Sequence, residues 1–375
     1  MRRVDAEELR RTTLARQFPP IEGRDGRAVL DLFERLGPIQ SQVPRAPFLT
    51  ASSRLPGVGY AVVRDLFAGH ELLKTTSLRG TVHSTTRADF VRTDAVARHS
   101  REPVLRRELG LGELPAGAVA AELERFCGDE WRPRKEVVSH LTEWLDGRGI
   151  GFEPSTFSAN LIWGHSGLIR RPKDEHWEKR TDTFHRTARD VVALPPRPDP
   201  SVALAELVRV HLSAYGPLTR ADLAFFFGVR LGEVDAALAV LAAEVEPLIG
   251  PDGEPMLDLA EAAGRADAEA DPDVRLLPEY DGLLVGYAGP NRTRFCRPEH
   301  LARVWAKANG VFSPVVLAGG RIVASWRTVS TGRRTRLELE LLPGASPPAE
   351  DDLAPQVAAL SSVLALCVDD VSIRR

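Results

Sequence analysis

The chain has 375 residues, 43% hydrophobic, 27% charged and 6% aromatic, with a formal net charge of −3. That is enough apolar material for two to four compact units. No run approaches the roughly 18 uninterrupted apolar residues of a membrane helix, and the N-terminus has no apolar leader, so a cytoplasmic protein with no membrane partner is expected.

Three widely spaced cysteines, Cys127, Cys296 and Cys367, and nine histidines without paired spacing support neither a disulfide framework nor a metal site. No cofactor and no metal are expected.

Asp5 caps a predicted helix to about Arg16, and a second carries Val29, Leu30, Phe33 and Leu36 on one face. Gly37 and Pro38 stop that helix. Gln40-Ser41-Gln42 falls in the turn behind it, placing two carboxamides two residues apart, free to converge on an object as small as a water. Residues 72–86 read as two short strands crossing Arg79-Gly80, and Thr86-x-x-Asp89 opens another helix as a capping box. Pro133 starts a helix through Val137, Val138, Leu141 and Leu145, and the basic stretch Leu168 to Arg180 reads as a wing whose cations lie along phosphates.

After the proline-rich linker Leu194 to Pro200, Thr219 caps a helix in a helix-turn-helix-like segment, with Leu223, Phe226 and Phe227 facing a core. From Leu276 the pattern turns β-rich, with strands expected at LLVGY, PVVLAGGRIVASW and RLELELL. Gly319-Gly320 marks a hairpin with Arg321 at its tip and Arg327 at its foot. The plan repeats: helices around a turn lead into a basic hairpin. The expected fold class is α+β, with tandem winged helix-turn-helix units at 1–110, 111–195 and 200–265 and a C-terminal β-rich domain at 266–375.

The net charge conceals a separation of sign. Residues 292–336 hold ten Lys/Arg and one acid, Glu299, whereas Asp258 to Asp281 carries eight acids against Arg265 and Arg275. The basic segment suits a phosphate backbone; on charge alone a solvated surface is an equal reading.

The triplet and its flanks resemble the AlkZ-type winged-helix DNA glycosylases, whose signature is two glutamines separated by one residue. The resemblance continues through PRAPFLTASSRL (Pro44 to Leu55), LRGTVH (Leu78 to His83), LLPEYDGLLVGY (Leu276 to Tyr287) and VVLAGGRIVASW (Val315 to Trp326), and so spans nearly the whole chain. This sequence departs at Ser41, small and polar where the signature carries an apolar residue. The resemblance implies that Gln40 and Gln42 are catalytic, in hydrolysis of the N-glycosidic bond of bulky N7-alkylated purines or of interstrand crosslinks, for repair or for self-resistance to a genotoxin.

The chemistry is consistent with that. N7-alkylation makes guanine a cationic leaving group, which leaves water positioning and cation stabilisation as the tasks. A carboxamide can do both with its carbonyl oxygen and its NH2. No lysine sits in the motif, so a monofunctional enzyme without lyase chemistry is expected.

Arg45, Arg54, Arg79, His83, Arg321 and Arg327 are the candidate DNA contacts; Asp281, before glycine, reads as local turn chemistry. The expected partner is double-stranded DNA with alkylated purines, met by a monomer on the bacterial nucleoid. Two rivals stay open: a winged-helix regulator, and a lesion-binding protein without catalysis.

Overall fold

A computed structural model of the chain describes residues 1–155, 167–181, 183–261, 274–306, 310–332 and 334–375. The boundary expected at 265/266, Lys307 and Arg333 lie outside the described residues. None of the described helices is long and apolar enough to cross a membrane.

Strand β1 (Arg2–Arg3) and helix α1 (Ala6–Gln17) begin the chain, and Asp5 caps α1 by accepting from the amides of Glu7 and Glu8. Helix α2 (Gly26–Leu36) ends at Gly37, whose φ of 72° suits a residue without a Cβ. Then come β2 (Ile39–Gln40), α3 (Ala46–Arg54), α4 (Tyr60–Ala68), β3 (Leu72–Thr76), β4 (Val82–Thr86) and α5 (Arg87–Glu108). Their sheet has the order β2-β4-β3. Gln40 is therefore a strand residue rather than a turn residue, paired across β4 with His83.

The second unit has α6 (Ala116–Phe126), β5 (Arg132–Pro133), α7 (Arg134–Asp146), β6 (Leu168–Pro172) and β7 (Thr183–Thr187), with sheet order β5-β7-β6. Its core is its own: Leu105, Leu109, Val119, Leu123, Val137, Leu141 and Leu145 are all buried together. Its wing folds back over the first unit. Thr75 Oγ1 on β3 donates to the Leu168 carbonyl at 2.8 Å, and Trp177 stacks on Phe67 with ring centroids 5.1 Å apart.

The third unit is built from the helices Pro200–Tyr215, Arg220–Phe227 and Leu231–Val240 and from β8 (Val245–Ile249) and β9 (Pro255–Leu259). Thr219 and Asp222 form a reciprocal capping box, and Leu223, Phe226 and Phe227 are buried. β1 adds to this sheet by pairing parallel with β8. α1 docks here as well, through a buried Arg16–Asp258 ion pair at 2.7 Å and Gln17 Nε2 donating to the Ala214 carbonyl. The N-terminal helix thus packs on the third unit instead of completing the first.

The remainder holds β10 (Arg275–Leu277), β11 (Trp305–Ala306), β12 (Val311–Phe312), β13 (Val315–Ala318), β14 (Arg321–Thr331), β15 (Arg334–Leu341) and β16 (Val368–Arg374). Five of these form one sheet, β10-β13-β14-β15-β16. Gly319 and Gly320 make the expected hairpin at φ 54° and 68°.

LLVGY corrects the reading: it is a short helix, Gly282–Val285, because Asp281 caps it by accepting from the Leu283 amide. The Glu350–Leu364 helix crosses back to pack on α3 and α4, so one apolar core joins the first unit, this sheet and the C-terminal helix.

Candidate active site

The β2–β4 pairing builds the site. The Ser41 amide donates to the Val82 carbonyl at 2.7 Å, and the Val82 amide returns a bond to Gln42 Oε1 at 3.1 Å. Ser41 is buried, and its hydroxyl is satisfied by the Ile39 carbonyl at 2.9 Å and Ser84 Oγ at 2.8 Å. The polar departure in the triplet therefore pins β2 to β4.

Gln40 is 8% exposed, and its Oε1 accepts from Arg79 Nη2 at 2.9 Å. Gln42 is exposed. Both carbonyl oxygens already hold one donor, and each keeps a second lone pair.

Gln42 opens on a cleft of about 1200 Å³ between the first and second units. Its cations come from both walls: Lys74 on β3, Arg134 and Lys135 at the start of α7, and Arg170, Arg171, Lys173, Lys179 and Arg180 along the wing. Among the described lining residues there is no Asp or Glu. Burial and, after it, the crowding of like charges lower the pKa values of two of these cations. Burial pushes Lys74 down to about 7, helped by Arg170 and opposed by Glu178; burial, helped by Arg134, takes Arg170 down to about 10. An anion would relieve both.

Of the sequence-predicted residues, Gln40, Gln42, Arg79 and His83 come together on this sheet. His83 does not reach the surface. It is fully buried, with Nδ1 3.1 Å from the Thr81 carbonyl and 3.2 Å from Ser77 Oγ, and burial with Arg79 nearby lowers it to about 3, so the ring is neutral.

Arg54 is likewise corrected: at 1% side-chain exposure it holds Asp281 through two bonds, 2.6 and 3.0 Å, and has no surface from which to reach a phosphate. Arg45 pairs with Glu279 at 2.7 Å, touches Thr328 Oγ1 at 3.3 Å and lies over the Trp326 ring. These two arginines clamp α3 to the C-terminal sheet through the acids of the PEYDG segment. Arg321 is exposed on β14, and Arg327, two-thirds exposed, shares Glu338 with Arg336 and Arg374.

Sequence reasoning missed Lys74, Arg134 and Lys135. The only signal was a lysine inside the apolar strand pattern LLKTT and a basic cluster at a helix start.

Three small winged sheets join a C-terminal β domain, and a buried and an exposed glutamine stand at one strand end. A sequence model of the family described as DNA glycosylase AlkZ-like matches residues 33–363, and the chain belongs to that family. It is 26% identical over 342 residues to the "Interstrand DNA cross-link repair glycosylase" of Streptomyces sahachiroi, covering 84% of this chain and 86% of that one. The solved structure of the Streptomyces sahachiroi DNA glycosylase AlkZ superposes with a TM-score of 0.81 at 20% identity, over 99% of this chain and 100% of that one, a likeness of fold.

Proposed function

We propose that this enzyme is a monofunctional DNA glycosylase acting on bulky N7-alkylated purines in duplex DNA, interstrand crosslinks among them, as a monomer in the bacterial cytoplasm. The observation that carries the reading is Gln42, exposed on a cationic cleft with no carboxylate among its described lining residues, with Gln40 two positions before it in the chain. Phosphates suit that cleft electrostatically, and Arg321 and Arg327 add exposed cations on the β domain.

The paired amides do little acid–base work. An N7-alkylated base leaves as a neutral molecule once the N-glycosidic bond breaks, so the site needs only to hold a water and face the cationic sugar. The second lone pair of Gln42 Oε1 is available for the water, and the amide NH2 groups for sugar or phosphate oxygens. The crosslink substrate is supported by the name of the Streptomyces sahachiroi relative. Whether the biological task is general repair or self-resistance, the chemistry is the same.

The monofunctional reading is supported by the absence of a lysine from the triplet and by Lys74, the buried amine of the cleft, donating to the carbonyls of Trp177 at 3.3 Å and Pro44 at 3.4 Å, with Lys135, Lys173 and Lys179 also lining the cleft. The test is incubation with a duplex bearing one N7-alkylguanine, with the strands run both with and without alkali. Free base plus a strand break only after alkali is the expected result. A break without alkali would contradict the monofunctional part, and no free base above the spontaneous rate would sink the glycosylase reading.

A further inference from the structure

Arg79 sits at φ 55°, a backbone conformation that residues with a Cβ adopt rarely and at a cost. The turn around it is held. Gly80 follows at φ 72°, with the Arg101 guanidinium packed where a Cβ would stand, 2.7 Å from that position.

The turn aims Arg79 inward, into the seam between the first and third units. Its Nη2 donates to Gln40 Oε1 at 2.9 Å, its Nη1 donates to the Phe226 carbonyl, and the guanidinium lies over the rings of Phe226 and Phe225 at 5.1 and 5.6 Å. Gly228, which ends the Arg220–Phe227 helix, leaves just enough room: a Cβ there would meet Arg79 Cγ at 3.0 Å.

We infer that Arg79 is a positioning residue for Gln40, and that the third winged-helix unit acts on the reaction through it by presenting the Phe226 carbonyl that fixes the guanidinium. The inference rests on the catalytic reading of Gln40. A guanidinium has donors only, so it dictates which end of the carboxamide faces it: Oε1 turns toward Arg79 and the NH2 turns away. A glutamine without such a partner has a broad terminal torsion and no fixed polarity. A charged donor on Oε1 also polarises the amide and strengthens its NH2 as a donor. With two of its nitrogens spent inside the protein, Arg79 serves the site from behind rather than holding a phosphate.

The chain has four glutamines, Gln17, Gln40, Gln42 and Gln356, so the side-chain amide spectrum of the full protein labelled with 15N-glutamine holds four pairs, with Gln40→Ala identifying one. Arg79→Met should move the Gln40 pair and leave Gln356 in place. Single-turnover base release should fall about ten- to a hundredfold in this variant, with DNA affinity and its salt slope unchanged. Because Arg79 acts only through Gln40, the double variant Arg79→Met/Gln40→Ala should be no slower than Gln40→Ala alone. Arg79→Lys, which keeps the charge but cannot span both carbonyls, should reproduce the spectral change if Arg79→Met folds poorly.

An unmoved Gln40 pair in the folded variants would overturn the proposal, as would losses that multiply in the double variant. A salt slope shallower by about 0.9 would mark a phosphate contact instead. If the wild type releases no base, the glycosylase reading fails on that count alone, and the spectrum still decides whether Arg79 fixes Gln40.

Discussion

At the scale of single residues, arginine is the case where sequence says least. A guanidinium recognises phosphate and carboxylate with the same fork, so Arg45 and Arg54 read equally well as DNA contacts until Glu279 and Asp281 are seen beside them. Removing one partner of a buried pair leaves an uncompensated charge, and Arg54→Met is expected to lower unfolding free energy by about 3–5 kcal/mol. Urea denaturation measures it, and DNA affinity of the folded variant should not change; loss of affinity at full stability would restore Arg54 as a DNA contact.

Lys74 makes a second residue-scale prediction. Its amine, at about 7 in the free protein, faces Arg170 and Glu178, and a neighbouring phosphate would favour its charged form. Binding then takes up a proton only above that value. DNA affinity should therefore weaken as pH rises from about 7 toward 9, by at most about tenfold per pH unit for one proton, and Lys74→Met should flatten that slope. Parallel pH profiles for the two proteins would contradict it.

At the scale of elements, what was legible is what local chemistry decides. Asp5, Thr86 and Thr219 cap their helices because a short oxygen-bearing side chain reaches the first free amides, and each does so here. The Gly319-Gly320 hairpin is legible for the same reason. LLVGY was not, since a short apolar run fits a buried strand or a buried helix alike, and the cap that decides it is the carboxylate already bound to Arg54.

α1 was legible as a helix but not by address. Its buried face includes the polar Thr13 and Gln17, received by the carbonyls of Gly216 and Ala214 about 200 residues away in sequence. The wing and α7 together carry the element-scale test. Arg134→Gln/Lys135→Gln/Lys173→Gln removes three exposed cations from the cleft and should make the plot of log affinity against log salt shallower by about 2–3, measured by anisotropy on a short duplex. An unchanged slope would move the DNA track away from the second unit.

At the scale of the whole molecule, the units are not beads on a string. The second unit has a main core of its own but is joined to the first through Trp177 and through Ile169 and Ala188 packed with Leu73, Phe90 and Val91, while the first, the third and the C-terminal sheet share cores that run through α1, the Pro200–Tyr215 helix and the returning C-terminal helix. This places the two glutamines at a junction, with a cationic wing on one side and the third unit, through Arg79, on the other. The triplet was legible because two carboxamides at one spacing sit among blocks of a known family pattern. Its environment was not, because Val82, Arg79 and Lys74 approach from residues some 30 to 40 positions away in sequence, and β4 has to form before they meet.

The measurement that tests the account most directly is free-base release from duplex DNA carrying a defined N7-alkylguanine, compared among the wild type, Gln40→Ala and Gln42→Ala under single-turnover conditions. The account predicts release by the wild type and losses of about a hundredfold or more in both variants, with DNA binding retained. Release by the variants at the wild-type rate would contradict it, since the pair would then be structural and the chemistry would belong elsewhere in the cleft.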